Sequence, residues 1–306
     1  MTVTRILAAL ALVAPLGSAI QAQEGSSPAA GLRLEISSAG TAFDPSDLII
    51  VKVQFVNSSD KPIDLLLSPD LPGCVSLYYQ GPAIRRTLRK QFGPLTTSEA
   101  YRVKLNTGER CQTYPMVSVG FYDQRDSATG EVRTLFKTPD LGEWQVWAEL
   151  GTVKSNVLKF TCEEQRIDAE VRSLFGSETW HRMAMGEKLD KESFDRFRDF
   201  VFSGRPAGQK DVMGHLVGIS CANDSDNELA ARAFDAALQS GGSNWPKSSH
   251  RFMLARVRAH LKQFDEAVRQ LDQIDASELP LGFARRFQKT REEITQARDK
   301  AMGGGR

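Results

Sequence analysis

The apolar pattern of this chain changes period near Glu163, and that change limits what it can fold into. Before it, apolar residues alternate with polar ones. Leu32, Leu34 and Ile36 make one such run, and Ile49, Val51, Val53 and Phe55 a longer one. Ile63, Leu65 and Leu67 follow, then Val75, Leu77 and Tyr79, then Tyr101, Val103 and Leu105, and Met116 to Phe121 continues the series. Trp144, Val146, Ala148 and Leu150 alternate again, and Asn156, Leu158 and Phe160 close the set. A period of two puts successive side chains on opposite faces of a strand, so each run predicts a half-buried strand. Asn57-Ser58-Ser59-Asp60, Ser68-Pro69-Asp70, Asn106-Thr107-Gly108 and Asp140-Leu141-Gly142 separate the runs with turn chemistry. Seven or more short strands with frequent turns predict a β-sandwich, with an antiparallel barrel as the competing closure.

After Glu163 the period is helical. Ile167, Val171, Leu174 and Phe175 share a helix face, and Asp190 is placed to cap a helix carrying Phe194, Phe197, Phe200 and Val201. Val212, Leu216 and Ile219 mark the next helix. Leu229, Ala233, Phe234, Ala237 and Leu238 mark another, stopped by Gly241-Gly242. Ser248–Leu261 and Asp265–Ile274 form a helical pair around a short Lys262-Gln263-Phe264 joint. The division is therefore a β domain over 31–162 and an α domain over 163–302, with a glycine-rich tail at 303–306.

The first residues predict export. Arg5 precedes an apolar run, Ile6 to Leu16, that is shorter than the roughly 20 residues needed to span a bilayer. Ser18, Ala19 and Ala22 then supply the small residues signal peptidase requires. Residues 1–22 read as a signal peptide cut after Ala22, with Ala19 as the second choice, and 23–30 as a linker. The expected compartment is periplasmic or extracellular, with no transmembrane segment after cleavage. Four cysteines, Cys74, Cys111, Cys162 and Cys221, suit disulfides there, and three pairings are open. Cys74–Cys111 is favoured because both lie in the β domain. A Cys162–Cys221 bridge would staple the two domains together.

Two resemblances refine the fold. Leu141 to Leu150 followed by Ser155 to Phe160 resembles the terminal hairpin of immunoglobulin-like or fibronectin-like domains in exported bacterial proteins. The pair around Phe264-Asp265-Glu266-Ala267-Val268 resembles a tetratricopeptide repeat, with Ala255 and Ala267 at the small positions. Stepping back by the repeat length of about 34 residues lands on Cys221 and Ala233, again small. The resemblance implies an immunoglobulin-like β-sandwich followed by a helical-hairpin, tetratricopeptide-like domain, and both are recognition scaffolds.

The chemistry is sparse. The formal net charge is +1, which gives no general attraction to nucleic acid. No His-Glu-x-x-His, Gly-x-Ser-x-Gly or phosphate-loop motif occurs, and no cysteine or histidine spacing suggests a metal or another cofactor. Arg85, Arg86, Arg89 and Lys90 form the sharpest basic cluster, expected in a loop between strands, where it could meet phosphate or an acidic protein face. His181 and His215 are the candidates for a general base if the chain is an enzyme. Asp224-Ser225-Asp226 reads as a loop and helix cap, and Phe252, Phe264, Phe283 and Phe287 read as packing residues. Tyr78, Tyr79, Tyr101, Tyr114, Phe121 and Tyr122 read as core or cross-strand aromatics, with a carbohydrate platform as the alternative. The expected function is a non-catalytic adaptor of the cell envelope with a protein or peptide partner. An inhibitor of an exported enzyme, an enzyme using His181 or His215, and a structural envelope component are the alternatives.

Overall fold

A computed structural model describes residues 31–67, 75–82, 87–89, 101–117, 121–125, 132–136, 140–165, 168–184, 187–204, 209–241 and 245–303. The signal peptide with Ala22, the linker, Cys74, Arg85, Arg86 and Lys90 lie outside them. Strands come first: β1 (Leu32–Ser38), β2 (Ala42–Phe43), β3 (Ile49–Asn57), β4 (Ile63–Leu67), β5 (Ser76–Gln80), β6 (Thr87–Arg89) and β7 (Tyr101–Leu105). They continue with β8 (Arg110–Thr113), β9 (Met116–Val117), β10 (Phe121–Arg125), β11 (Val132–Phe136), β12 (Gly142–Leu150), β13 (Val153–Lys154) and β14 (Leu158–Cys162). Helices follow: α1 (Ala169–Phe175), α2 (Glu178–Ala184), α3 (Lys191–Phe202), α4 (Lys210–Asn223), α5 (Asn227–Gln239), α6 (Lys247–His260), α7 (Phe264–Asp272) and α8 (Leu281–Gly303).

One sheet runs β1-β3-β8 with β9 also on β3, and a second runs β2-β14-β12-β5-β6. Among the described residues neither closes into a barrel. The inward residues of both sheets share one core, including Val51, Val53, Phe55, Tyr79, Trp144, Val146 and Phe160. The predicted terminal hairpin is present, with Trp144 opposite Phe160 and their rings stacked at 6.5 Å. Arg89 lies in strand β6, paired with Leu77 of β5, and not in a loop as its composition suggests.

The helices stack as successive hairpins with a second core. Asp190 caps α3 by accepting from the Ser193 amide, as the sequence predicts. Asp226 likewise caps α5 through the Leu229 amide. The hairpins α4–α5 and α6–α7 begin 37 residues apart, and α6 and α8 begin 34 apart. The first repeat is thus three residues longer than the step of 34 used on the sequence. The structural register pairs Gly218 with Ala255 and Ala230 with Ala267, all buried. It also pairs the two tight corners, where Ser225 (φ 65°) and Lys262 (φ 61°) are both left-handed. Gly218 is needed because a Cβ there would stand 2.8 Å from the ring of buried Phe234.

The two halves meet at the entry to β3. Leu48 and Ile50 point into the helical core, while Ile49 and Val51 point into the strand core. Gln209, just before α4, serves both polar groups of Leu48. Its Oε1 accepts from the Leu48 amide at 2.8 Å and its Nε2 donates to the Leu48 carbonyl at 2.7 Å. Nearby, Asp44 accepts from the Gln165 amide and from Arg172. Burial opposes its charge, but hydrogen bonds from Ser46 and Gln165 and the Arg172 guanidinium outweigh that and hold its carboxyl below the usual range. Burial pushes the neighbouring Asp47 carboxyl up to about 6, helped by the Asp44 charge. On the far side, Gln112 donates to the Ser277 carbonyl at 2.7 Å.

Among the described cysteines no disulfide is formed, and Cys74, the expected partner of Cys111, lies outside the described residues. Cys111, Cys162 and Cys221 carry free thiols. Cys162 is buried in the strand core and Cys221 in the helical core, so their thiols cannot bridge without unpacking both.

Two substitutions check this packing. Gln209→Leu keeps the volume but strands two buried backbone groups, and should cost about 2–4 kcal/mol in denaturant unfolding; a loss under about 1 kcal/mol would show that the Leu48 pairing is incidental. Gly218→Ala should destabilise by about 1–3 kcal/mol through the Phe234 clash, reversing the roughly 1 kcal/mol gain alanine makes in an open helix.

Candidate functional site

His215 of α4 proves to be a core residue. It is 1% exposed, as is His250 of α6, and the two Nδ1 atoms stand 2.9 Å apart. One ring must donate its Nδ1–H to the lone pair of the other, so the resting pair is neutral. Trp245 stacks on His215 at 5.1 Å and Phe234 meets it edge-on at 5.5 Å. Burial and the neighbouring His250 push His215 well below the ordinary histidine range. Burial and Lys247 push His250 down to about 3. A general base must reach a substrate proton, and His215 faces only protein. His250, its actual partner, carries no signal in the sequence, since 35 residues separate the two. His181 lies on α2, and its side chain is outside the described atoms.

The open surface of the helical half is elsewhere, between α6, the start of α7 and α8. A groove of about 490 Å³ lies there. Its polar lining is Arg256 and His260 from α6 with Arg286, Lys289, Thr290 and Glu293 from α8. Its apolar lining, from the same helices and the start of α7, is Ala259, Phe264, Ile294 and Ala297. Steps of three and four residues bring the α8 set onto one helix face. Beneath the groove, Phe252 packs on Phe283 at 5.1 Å and on Phe287 at 6.3 Å, which fixes α8 against α6. Phe264 differs from these three packing phenylalanines, because it is only half-buried and lines the opening.

The charges in this groove do not balance. Lys289 pairs with Glu293 at 3.8 Å. Arg256 is half-buried, and its polar contact is the Met253 sulfur at 3.8 Å. Among the described residues neither Arg256 nor Arg286 has a carboxylate within ion-pair reach. Burial lowers the Arg256 pKa, and the facing Arg286 charge lowers it further. Two arginines thus line one part-apolar groove, Arg256 half-buried and Arg286 exposed.

Other sequence candidates fall into packing roles. Tyr78 stacks on Trp147 at 5.4 Å as a cross-strand pair, with the Lys154 ammonium over the indole at 4.6 Å. Tyr79 is fully buried, and Tyr114 reaches across to the Glu278 carbonyl. Arg89 sits on β6, with its side chain outside the described atoms. Among the described residues, no group of three or more His, Cys, Asp or Glu is placed to hold a metal. Among them also, no helix is long and apolar enough to cross a membrane.

No family model and no curated protein matches this chain. Solved structures give weak likenesses to β-glucosidases. One from Erythrobacter marinus is 17% identical with a TM-score of 0.28, over 43% of this chain and 15% of that one. One from Listeria innocua in complex with glucose is 14% identical with a TM-score of 0.29, over 44% and 16%. A GH3 β-glucosidase from Bifidobacterium adolescentis is 14% identical with a TM-score of 0.25, over 45% and 18%. The chain spans less than a fifth of the length of these enzymes. At this likeness neither fold nor glucosidase activity carries over.

The buried histidines make a pH prediction. Their folded pKa values lie below the unfolded value near 6.5, so the neutral pair stabilises the fold above that pH and is lost as pH falls. The double substitution His215→Phe with His250→Leu should flatten the fall of unfolding free energy between about pH 6.5 and pH 4. Asp47, raised to about 6, slopes the other way, but both proteins carry it and it cancels in the difference. Parallel curves would show that the pair does not titrate with folding.

Proposed function

We propose that this chain is an exported, non-catalytic binding protein whose helical half presents the α6–α8 groove to an anionic partner. On this reading the helices form a tetratricopeptide-like stack. Buried small residues at the helix contacts and the 34-residue step from α6 to α8 support it. The strand half is read as an immunoglobulin-like sandwich that braces the stack through Gln209 and Leu48. One observation carries the proposal: Arg256 is half-buried beside Arg286, and among the described residues no carboxylate lies within ion-pair reach of either. A cation removed from water without a counter-charge costs stability, and such costs are found where function needs them.

That trade is measurable. Arg256→Met keeps the aliphatic stem and removes the charge, so the ligand-free protein should become more stable by about 0.5–2 kcal/mol in denaturant unfolding. Destabilisation of about 1 kcal/mol or more would make Arg256 a structural residue and remove the support for the groove.

A further inference from the structure

The chemistry of the groove narrows what it can hold. Lys289 and Glu293 neutralise each other, which leaves the two charges of Arg256 and Arg286 to be met by a ligand. Each guanidinium offers a planar fork of donors that matches two oxygens of a phosphate or a carboxylate. The two arginines also repel each other. One dianionic centre between them relieves that repulsion better than two separate monoanions, because it attracts both forks at short range. A phosphate monoester has that charge at neutral pH and oxygens enough for both forks. Thr290 adds a hydroxyl at the same wall. The same lining includes Phe264, Ile294, Ala259 and Ala297, which offer apolar surface to whatever carries the phosphate. A volume of about 490 Å³ suits a compact molecule more than an extended segment of protein.

Resting on the groove reading above, we propose that the site takes a small soluble organic phosphate, its dianionic head between Arg256 and Arg286 and its apolar body against Phe264 and Ile294. Affinity therefore depends on the second ionisation of the phosphate. The groups facing the ligand are Arg256, Arg286, Lys289, Glu293 and His260. Phenyl sulfate has the same shape but stays a monoanion, so comparison with it at each pH sets the titration of those groups aside.

The test is titration calorimetry on the mature chain with phenyl phosphate, phenyl sulfate, inorganic phosphate and a short acetylated Asp-Leu-Glu peptide, plus flotation with phosphatidic acid vesicles. Phenyl phosphate should bind at least about tenfold tighter than inorganic phosphate, because of the apolar wall. Its advantage over phenyl sulfate should grow about tenfold between pH 5 and pH 7, as the second ionisation near 6 completes. Arg256→Gln and Arg286→Gln should each weaken phenyl phosphate binding at least about tenfold. Arg269→Gln, at a residue outside the groove that pairs with Glu266, should not change it. Phenyl phosphate binding that is indifferent to both groove variants overturns the proposal. Peptide binding that needs both arginines, without phenyl phosphate binding, overturns the phosphate class and leaves the groove as the binding surface. Binding to vesicles alone moves the ligand to a lipid headgroup and overturns the soluble class. No binding by any probe removes both the phosphate class and the groove reading.

Discussion

The structure depends on a short stretch of backbone that is buried on both sides. Leu48-Ile49-Ile50-Val51 is a continuous apolar run, and its residues alternate between the helical core and the strand core. A strand at such a junction cannot leave its amide and carbonyl groups to water, and an unpaired buried one costs about 1–3 kcal/mol. Among the described residues no strand pairs with Leu48. The Gln209 side chain takes that place, donating and accepting as a backbone partner would. Because Gln209 immediately precedes α4, the same contact sets where the helical stack starts.

From α4 onward, small residues decide the geometry. Gly214 and Gly218 let α4 approach α5 until Phe234 fills the space a Cβ would need. Ala255 and Ala267 do the same for α6 and α7, and both are fully buried. The interior holds a polar pair, His215 and His250, whose Nδ1 atoms meet while both rings stay neutral, although both Nε2 atoms are buried without a hydrogen-bond partner among the described residues. Charging either ring inside a wall of Trp245 and Phe234 is opposed by the same desolvation that lowers both pKa values. The pair thus belongs to the packing of α4 on α6, and the chemistry that remains available lies on the outer face of α6.

Much of this architecture is legible in the alternation of residues. Where one face of a strand is buried and the other wet, the period of two shows plainly, as in β1, β3, β5 and β12. Strands of two or three residues, such as β2, β6 and β13, are too short to show a period and exist by pairing with longer neighbours. The run at 48–51 hides its second face because both of its environments are apolar. The repeat step of 34 fails for the first hairpin because α5 (Asn227–Gln239) runs four residues longer than α7 (Phe264–Asp272), and helix periodicity does not mark where a helix ends. The two free thiols in different cores show the same limit, since an even cysteine count says nothing about distance. The groove was hidden for a related reason. Arg256 and Arg286 look like ordinary solvated cations, and only the packing of Phe252 on Phe283 and Phe287 brings their helices together.

On the proposed reading, the charge imbalance in the α6–α8 groove is what makes the helical half a recognition surface. Across the rest of the described helical surface, arginines mostly sit beside acids. Arg182 meets Glu178 and Glu187, Arg198 meets Asp195 and Asp199, and Arg291 meets Asp272. Exposed pairs of this kind contribute little energy each, but they cancel local fields. At the α6–α8 groove that cancellation stops, so field lines from two guanidinium groups emerge from a trough with apolar walls and draw anions to one place. A chain with a formal net charge of +1 can therefore select an anion locally while attracting none in general. On the proposed reading that selectivity rests on half-buried Arg256 beside exposed Arg286, neither with a carboxylate within ion-pair reach among the described residues.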